Sequence, residues 1–183
     1  MSCEISNGRM EVCKDQIGGL DAIYIINNGD YSPETDITYD VTNTDQINDV
    51  NSVSTLYKFE LKGANSFEQV INSSRDAGTS FVEQTLVVAL KKQDAATHKL
   101  VKMLAYGRPH VVVRNRNNQF FLAGLERGME LTTANVSNGT AMGDMVGYNL
   151  TFVGQEKILA NVLNCSTEAA LATLFSSATI DNN

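Results

Sequence analysis

Residues 59–92 read FELKGANSFEQVINSSRDAGTSFVEQTLVVALKK. Apolar and polar side chains alternate on both sides of one turn signal. Phe67, Gln69 and Ile71 share a face on the way to Ser74, and the turn centres on Asp76-Ala77-Gly78. Ser80 to Lys92 then returns with Val82, Leu86, Val88 and Leu90 on one face. Period-two alternation around a glycine turn predicts two antiparallel strands. The second is thirteen residues long, or ~43 Å of extended chain, and a strand of that length overhangs its own domain. The pair is therefore expected to project as a β-arm, residues 66–83, with a polar tip. Free two-stranded hairpins are marginal in water, so the tip is expected to order against another subunit. Asn72, Ser73, Arg75, Asp76 and Thr79 are the expected intersubunit contacts, with Arg75 meeting a carboxylate. The plain alternative is a solvated hairpin tip.

Downstream, Asp94 is placed to cap a helix over 95–106 by accepting from free N–H groups of its first turn. Ala96, Leu100, Met103 and Leu104 form an apolar stripe at helical spacing. Lys99 and Lys102 sit toward the end where the helix dipole favours cations. Gly107 suits a left-handed C-terminal position, and Pro109 forbids continuation. The helix is expected to plug one open side of a sheet, burying Leu100, Met103 and Leu104. A hairpin follows, with strands 110–114 and 119–123 turning at Asn117-Asn118. Further strands are expected near 129–136 and 147–155. Upstream, Leu20–Asn27 is a strand closed by Asn28-Gly29-Asp30. Val53–Lys62 is another, with Tyr57, Phe59 and Leu61 pointing into a core.

Residues 30–52 are polar and long for a loop. They either hide a short hairpin or form an arm ordered against a neighbour; the length favours an arm or excursion. Residues 157–183 are expected as a tail. Within it a short helix begins near Ser166 or Glu168, docking on a neighbour or covering a sheet edge, and the last residues are loose. The expected domain plan is an N-terminal segment 1–19, a β domain 20–156 and a C-terminal tail 157–183. The expected fold class is mainly β with one central α-helix, a β-sandwich or partly closed barrel.

The 183 residues carry a formal net charge of −7. That argues against gripping nucleic acid, which takes basic patches on phosphates. A chain of this size buries roughly 70% of its unfolded surface and needs no disulfide or metal. Cys3, Cys13 and Cys165 are odd in number and lack CxxC spacing, as expected of thiols kept reduced in a cytoplasm. The start shows neither the basic nor the apolar region of a secretory signal, and no apolar run approaches ~18 residues.

No catalytic constellation is legible. His98 and His110 have no Cys, His or carboxylate at a metal-ligand spacing. Gly124 and Gly128 in GLERG precede no helix signal, so a phosphate cradle is not expected. Glu126 and Glu130 read as exposed edge acids rather than a working pair. Asp144 reads as a turn former, and neither Cys13 nor Cys165 has a partner in sequence. The expectation is a non-enzyme with no cofactor and no metal.

Taken together, the arm segment SFEQVINSSRDAGTSFVEQTLVVALKK, MLAYGRPHVVV, FFLAGLERGMELT and GTAMGDMVGYNLTFVGQE resemble a family of phage virion structural proteins of tail-tube and neck-ring type. These are found in crAss-like phages of gut Bacteroidota. The resemblance covers roughly residues 15–162. It rests most on Lys91-Lys92, Tyr106 to His110, and Ala141 to Asp144; residues 30–52 and 165–183 lie outside it. It implies a β-sandwich or barrel of tail-tube type repeated around an axis in a closed ring of six or twelve copies. The implied partners are further copies and other tail, neck or portal-associated proteins, with DNA passing through unbound and no membrane involved. The implied location is the virion, after assembly in the host bacterial cytoplasm. The competing reading is a host-attachment or carbohydrate-binding β-sandwich, which would usually show exposed aromatics or an acidic calcium cluster; Trp is absent.

Overall fold

The computed structural model describes residues 7–11 and 13–182; Cys3 lies outside them. Twelve strands and two helices are present among the described residues. β1 (Leu20–Ile26) is followed by β2 (Ile37–Tyr39), β3 (Gln46–Val50) and β4 (Thr55–Glu60). The arm consists of β5 (Ser66–Ser74) and β6 (Thr79–Lys91), and α1 (Ala95–Leu104) comes next. Then follow β7 (His110–Asn115), β8 (Phe120–Ala123), β9 (Glu130–Ser137), β10 (Gly147–Glu156), β11 (Asn161–Leu163), α2 (Glu168–Leu174) and β12 (Thr179–Asp181).

The strands form two sheets. The larger has the order β12-β4-β1-β7-β8-β11-β3-β2, and the smaller β5-β6-β10-β9. Neither closes into a barrel; the fold is mainly β, with two sheets packed against each other in a sandwich-like arrangement. Both faces of the large sheet are buried. Ile23, Ile25, Val111 and Val113 meet Leu86, Val88, Leu150 and Phe152 of the small sheet. On the other face Tyr24, Ile26, Leu56, Val112 and Leu122 meet Leu171, Leu174 and Phe175. Alternation in β1 thus feeds two cores, which is why almost every residue in that strand is apolar.

This second core corrects two expectations. Leu56, read as outward from the alternation of β4, is fully buried in it. Residues 157–183 are no tail: they supply β11, α2 and the edge strand β12, which pairs parallel to β4. Thr167 caps α2 by accepting from Ala170 N–H, and Lys58 holds Glu168 at 2.7 Å. The fold therefore has two helices, not one central helix.

Residues 30–52 are not an excursion. Ile37–Tyr39 and Gln46–Val50 make the short hairpin β2–β3, with β3 lying parallel to β11. Ile47 and Val50 are fully buried, and two such anchors suffice to hold a polar hairpin to the sheet.

α1 begins as expected, with Asp94 Oδ1 accepting from Thr97 N–H at 2.7 Å. It ends at Leu104, short of 106. The chain leaves through Ala105 in a right-handed conformation, and Gly107 has no positive φ, so the left-handed cap expected there does not form. Leu104 is buried and Leu100 half-buried, but Met103 is 62% exposed and Val101 takes the inward place. The helix is rotated slightly from the expected stripe because it lies over the rim of the small sheet instead of across an open barrel mouth.

The two sheets cross at a slant. At one end of β6 the Lys91 side chain runs alongside Gly63, just beyond β4; farther along, Gln84 Oε1 accepts from Gly124 N–H at the end of β8. Gln69, paired with Gln84, accepts from Ala160 N–H beside β11. From Gln84 to Thr79 is five residues of strand, ~17 Å. The three strand spacings from β8 to β2 amount to ~14 Å. The arm tip therefore emerges on the β2–β3 side, while α1 and β9 occupy the opposite side.

Candidate interaction surface

The densest set of buried polar side chains surrounds residues 124–128. His110 Nδ1 meets Gly124 C=O, and Gln84 takes the N–H of the same residue at 2.8 Å. Tyr31 Oη donates to Leu125 C=O at 2.9 Å and stacks obliquely on His110. One Glu156 oxygen accepts from both Glu126 and Arg127 N–H, at 3.1 and 2.8 Å. Gly124 and Gly128 both have positive φ, and a Cβ on Gly128 would lie 2.4 Å from Arg108 C=O. Burial pushes His110 below its usual value, partly opposed by its bond to Gly124, and pushes Glu156 above its own. Gln84 Oε1, His110, Tyr31 and Glu156 all hold a tight backbone corner, so this cluster is a clamp joining the two sheets; Gln84 Nε2 is buried there without a partner among the described residues. GLERG carries backbone geometry and no phosphate cradle.

The other sequence candidates are dispersed. His98 is exposed on α1 with Nδ1 3.1 Å from Tyr148 Oη. Glu126 pairs with Lys157 and Glu130 with Arg108, so the two acids do not work together. Asp144 Oδ2 accepts from Thr140 and Ala141 N–H in a turn. Cys13 is exposed, and burial pushes the Cys165 thiol up to about 12. No cluster of three metal-ligating side chains occurs among the described residues.

The five arm residues lie at the tip of the β5–β6 hairpin. Asn72 stands opposite Phe81, Ser73 opposite Ser80, and Ser74 opposite Thr79. Arg75 and Asp76 occupy the exposed turn, closed by Gly78 N–H to Arg75 C=O. Three apolar neighbours, Val70, Ile71 and Phe81, are exposed on the same hairpin, Ile71 although it shares a face with Phe67 and Gln69. Ile71 points to the inner side with Val82, past the large sheet's cover.

Among the described residues, neither edge of the small sheet carries a further strand. β5 offers nine residues of edge and β9 eight. The outward face of this sheet places Glu68, Glu83, Lys91 and the Arg108-paired Glu130 among Thr85, Thr151, Thr133, Asn149 and Gln155, with Val70, Phe81, Val87 and Val153 between them.

Two features stand well apart on the large sheet, one over β1 and β4 and the other at its β2 edge, five strand spacings or ~24 Å from β1. Under α1 lies a largely apolar groove of about 440 Å³, lined by Ile25, Tyr57, Phe59, Leu100, Met103 and Arg108 among others. Segment 91–108 around it holds Lys91, Lys92, Lys99, Lys102 and Arg108 against the single acid Asp94. At the β2 edge, residues 30–49 hold six acids and no Lys or Arg. There Val41 is 98% exposed at the β2–β3 turn. Asp40 accepts from Thr42 and Asn43 N–H, and those backbone bonds, with Asn48, hold its carboxyl below the usual range. The two runs of like charge were visible in the sequence, but not that folding would set them well apart on one sheet.

No protein-family model matches the chain, and no curated protein or solved structure matches it. No helix among the described residues is long and apolar enough to cross a membrane.

Proposed function

We propose that this chain is a structural ring subunit of a phage tail or neck, joined to its neighbours through the edges of the four-stranded sheet. The observation that carries this is the pairing order β5-β6-β10-β9, all antiparallel, with both outer strands unoccupied. Four is an even number, so β5 and β9 run antiparallel to each other. When β9 of one copy meets β5 of the next, the seam repeats the pairing already present inside each copy. Such a contact is heterologous and closes into a ring when its rotation closes. Strand addition at an open edge supplies the main-chain hydrogen bonds that these strands lack.

The resemblance of the arm, AYGRPH and GTAMGD segments to tail-tube and neck-ring proteins supports the virion setting. The outward face of the small sheet supports its assignment to a DNA channel. Its acids Glu68 and Glu83, unpaired among the described residues, and its neutral groups outweigh Lys91, and Arg108 beside it is paired to Glu130, so the face offers a phosphate backbone little to hold.

The arm tip belongs to the same boundary. Deleting residues 73–79 and bridging with a two-residue turn leaves a folded monomer by circular dichroism but removes closed rings from negative-stain micrographs. Rings of normal size from that deletion would return the tip to the status of a surface loop. A wild-type chain that sediments only as monomer, alone and with its neighbouring virion proteins, would remove the ring reading altogether.

A further inference from the structure

We infer that the β2–β3 hairpin of one copy docks into the groove beneath α1 of the next copy, forming a second contact across the same subunit boundary. The inference rests on the ring reading for its setting but on separate observations for its content. The groove is apolar at its floor, through Tyr57, Phe59, Leu100 and Met103, and Arg108 lines it. Lys99 and Lys102 are exposed on the helix above. The hairpin presents the reverse pattern, with exposed Val41 in its turn between Asp40 and Asp45 and partly exposed Tyr39 just before Asp40. Arg127 and Lys157 stand near its base, where Lys157 is already paired with Glu126. An exposed Val41 flanked by acids thus stands at the hairpin turn, and an apolar slot lies under α1 with the Glu130-paired Arg108 in its wall and Lys99 and Lys102 on the helix above.

The fold makes the occupant another copy. The groove lies over β1 and β4, and β2 is five strand spacings, ~24 Å, from β1, so the hairpin of a chain cannot fold back into its own slot. A neighbour displaced along the strand order brings its slot to the hairpin. The same displacement brings β9, on the α1 side, toward β5, on the hairpin side. Charge complementarity also selects orientation, since hairpin against hairpin and helix against helix are both repelled.

The test uses the full chain in sedimentation velocity and negative-stain microscopy at low and high salt. Lys99→Glu with Lys102→Glu places like charge against the hairpin and raises the concentration needed for assembly at least about tenfold. Val41→Asp, at a fully exposed position, weakens assembly in the same direction. Adding Glu34→Lys and Asp45→Lys to the reversed helix restores assembly, as does mixing the helix-reversed chain with a chain reversed only in the hairpin. Circular dichroism of each variant matches wild type, because all these side chains are exposed or edge groups. Assembly unchanged by reversal, or lost without rescue by the swap, would overturn this docking while leaving ring closure through the sheet edges intact. Salt-sensitive open chains that reversal dissociates, with no rings in wild type, would keep the docking and remove the ring. A wild type monomeric at every concentration would remove both.

Discussion

Leu104→Ala tests whether α1 is part of the core between the sheets. Leu104 is 9% exposed and packs with Tyr148, Leu150 and Met129 in that cluster. Leucine-to-alanine changes at buried sites cost about 2–5 kcal/mol, less where surroundings collapse or water enters. Leu104 also lines the groove beneath the helix, so water reaches the new space and the expected cost falls at about 2–3 kcal/mol. For a chain of this length that lowers the thermal midpoint by about 4–12 °C. Met103→Ala, one residue away, is the control. At 62% exposure it loses little burial, and alanine favours the helix, so the expected change is within about 0.5 kcal/mol. Guanidinium denaturation followed by circular dichroism, at dilutions where the chain sediments as monomer, measures both. If Leu104→Ala costs no more than Met103→Ala, α1 is a surface attachment and the packing argument fails.

Glu156→Gln keeps the oxygen that accepts from Glu126 and Arg127 but removes a buried charge. Burial raises the folded pKa of Glu156 above 4.5. The folded state therefore holds its proton more tightly than the unfolded, and wild-type stability from this group is full below pH 4.5 and lost as pH rises through the folded value. The variant's advantage over wild type is expected to grow over that window in urea titrations; a constant difference would refute it. Gly128→Ala combines a positive φ with a collision on Arg108 C=O and is expected to cost roughly 3 kcal/mol or more in the same assay. Removing residues 167–183 strips Leu171, Leu174 and Phe175 from the second core. The truncated chain is expected to bind ANS and lose near-ultraviolet circular dichroism; a sharp, cooperative unfolding transition would show that the core survives without α2.

Strands with one or two long alternating faces were legible from sequence: β1, the arm, the β7–β8 hairpin and β10 lie within a few residues of where alternation puts them. The capped start of α1 was legible because Asp94 acts on its own first turn. What failed depended on partners far along the chain. Ile47 and Val50 look like scattered apolar residues in a polar stretch until β11 arrives beside them. Leu56 looks outward until α2 covers it. The rotation of α1, which trades Met103 for Val101, follows from its packing on Met129, Tyr148 and Leu150, partners that no local pattern encodes. At the candidate surface, the turn chemistry of the arm tip was readable, whereas the groove under α1 exists only where β1, β4 and the helix meet.

The late arrival of β11, α2 and β12 has a consequence for a chain emerging from the ribosome. Ser176 bonds to Val50 across 126 residues, Asn161 to Asp45 across 116 and Lys58 to Glu168 across 110. Everything the small sheet needs lies within residues 66–156. At translation speeds of ~5–20 residues per second, the segment from 157 to 181 takes about 1–5 s to appear. During that interval each nascent copy carries finished β5 and β9 edges while one face of its large sheet is still bare. On a message read by several ribosomes at once, edges and bare faces of neighbouring copies are held close together. Premature strand pairing then competes with covering of that face, so the yield of sound subunits depends on how quickly residues 157–181 are made and docked.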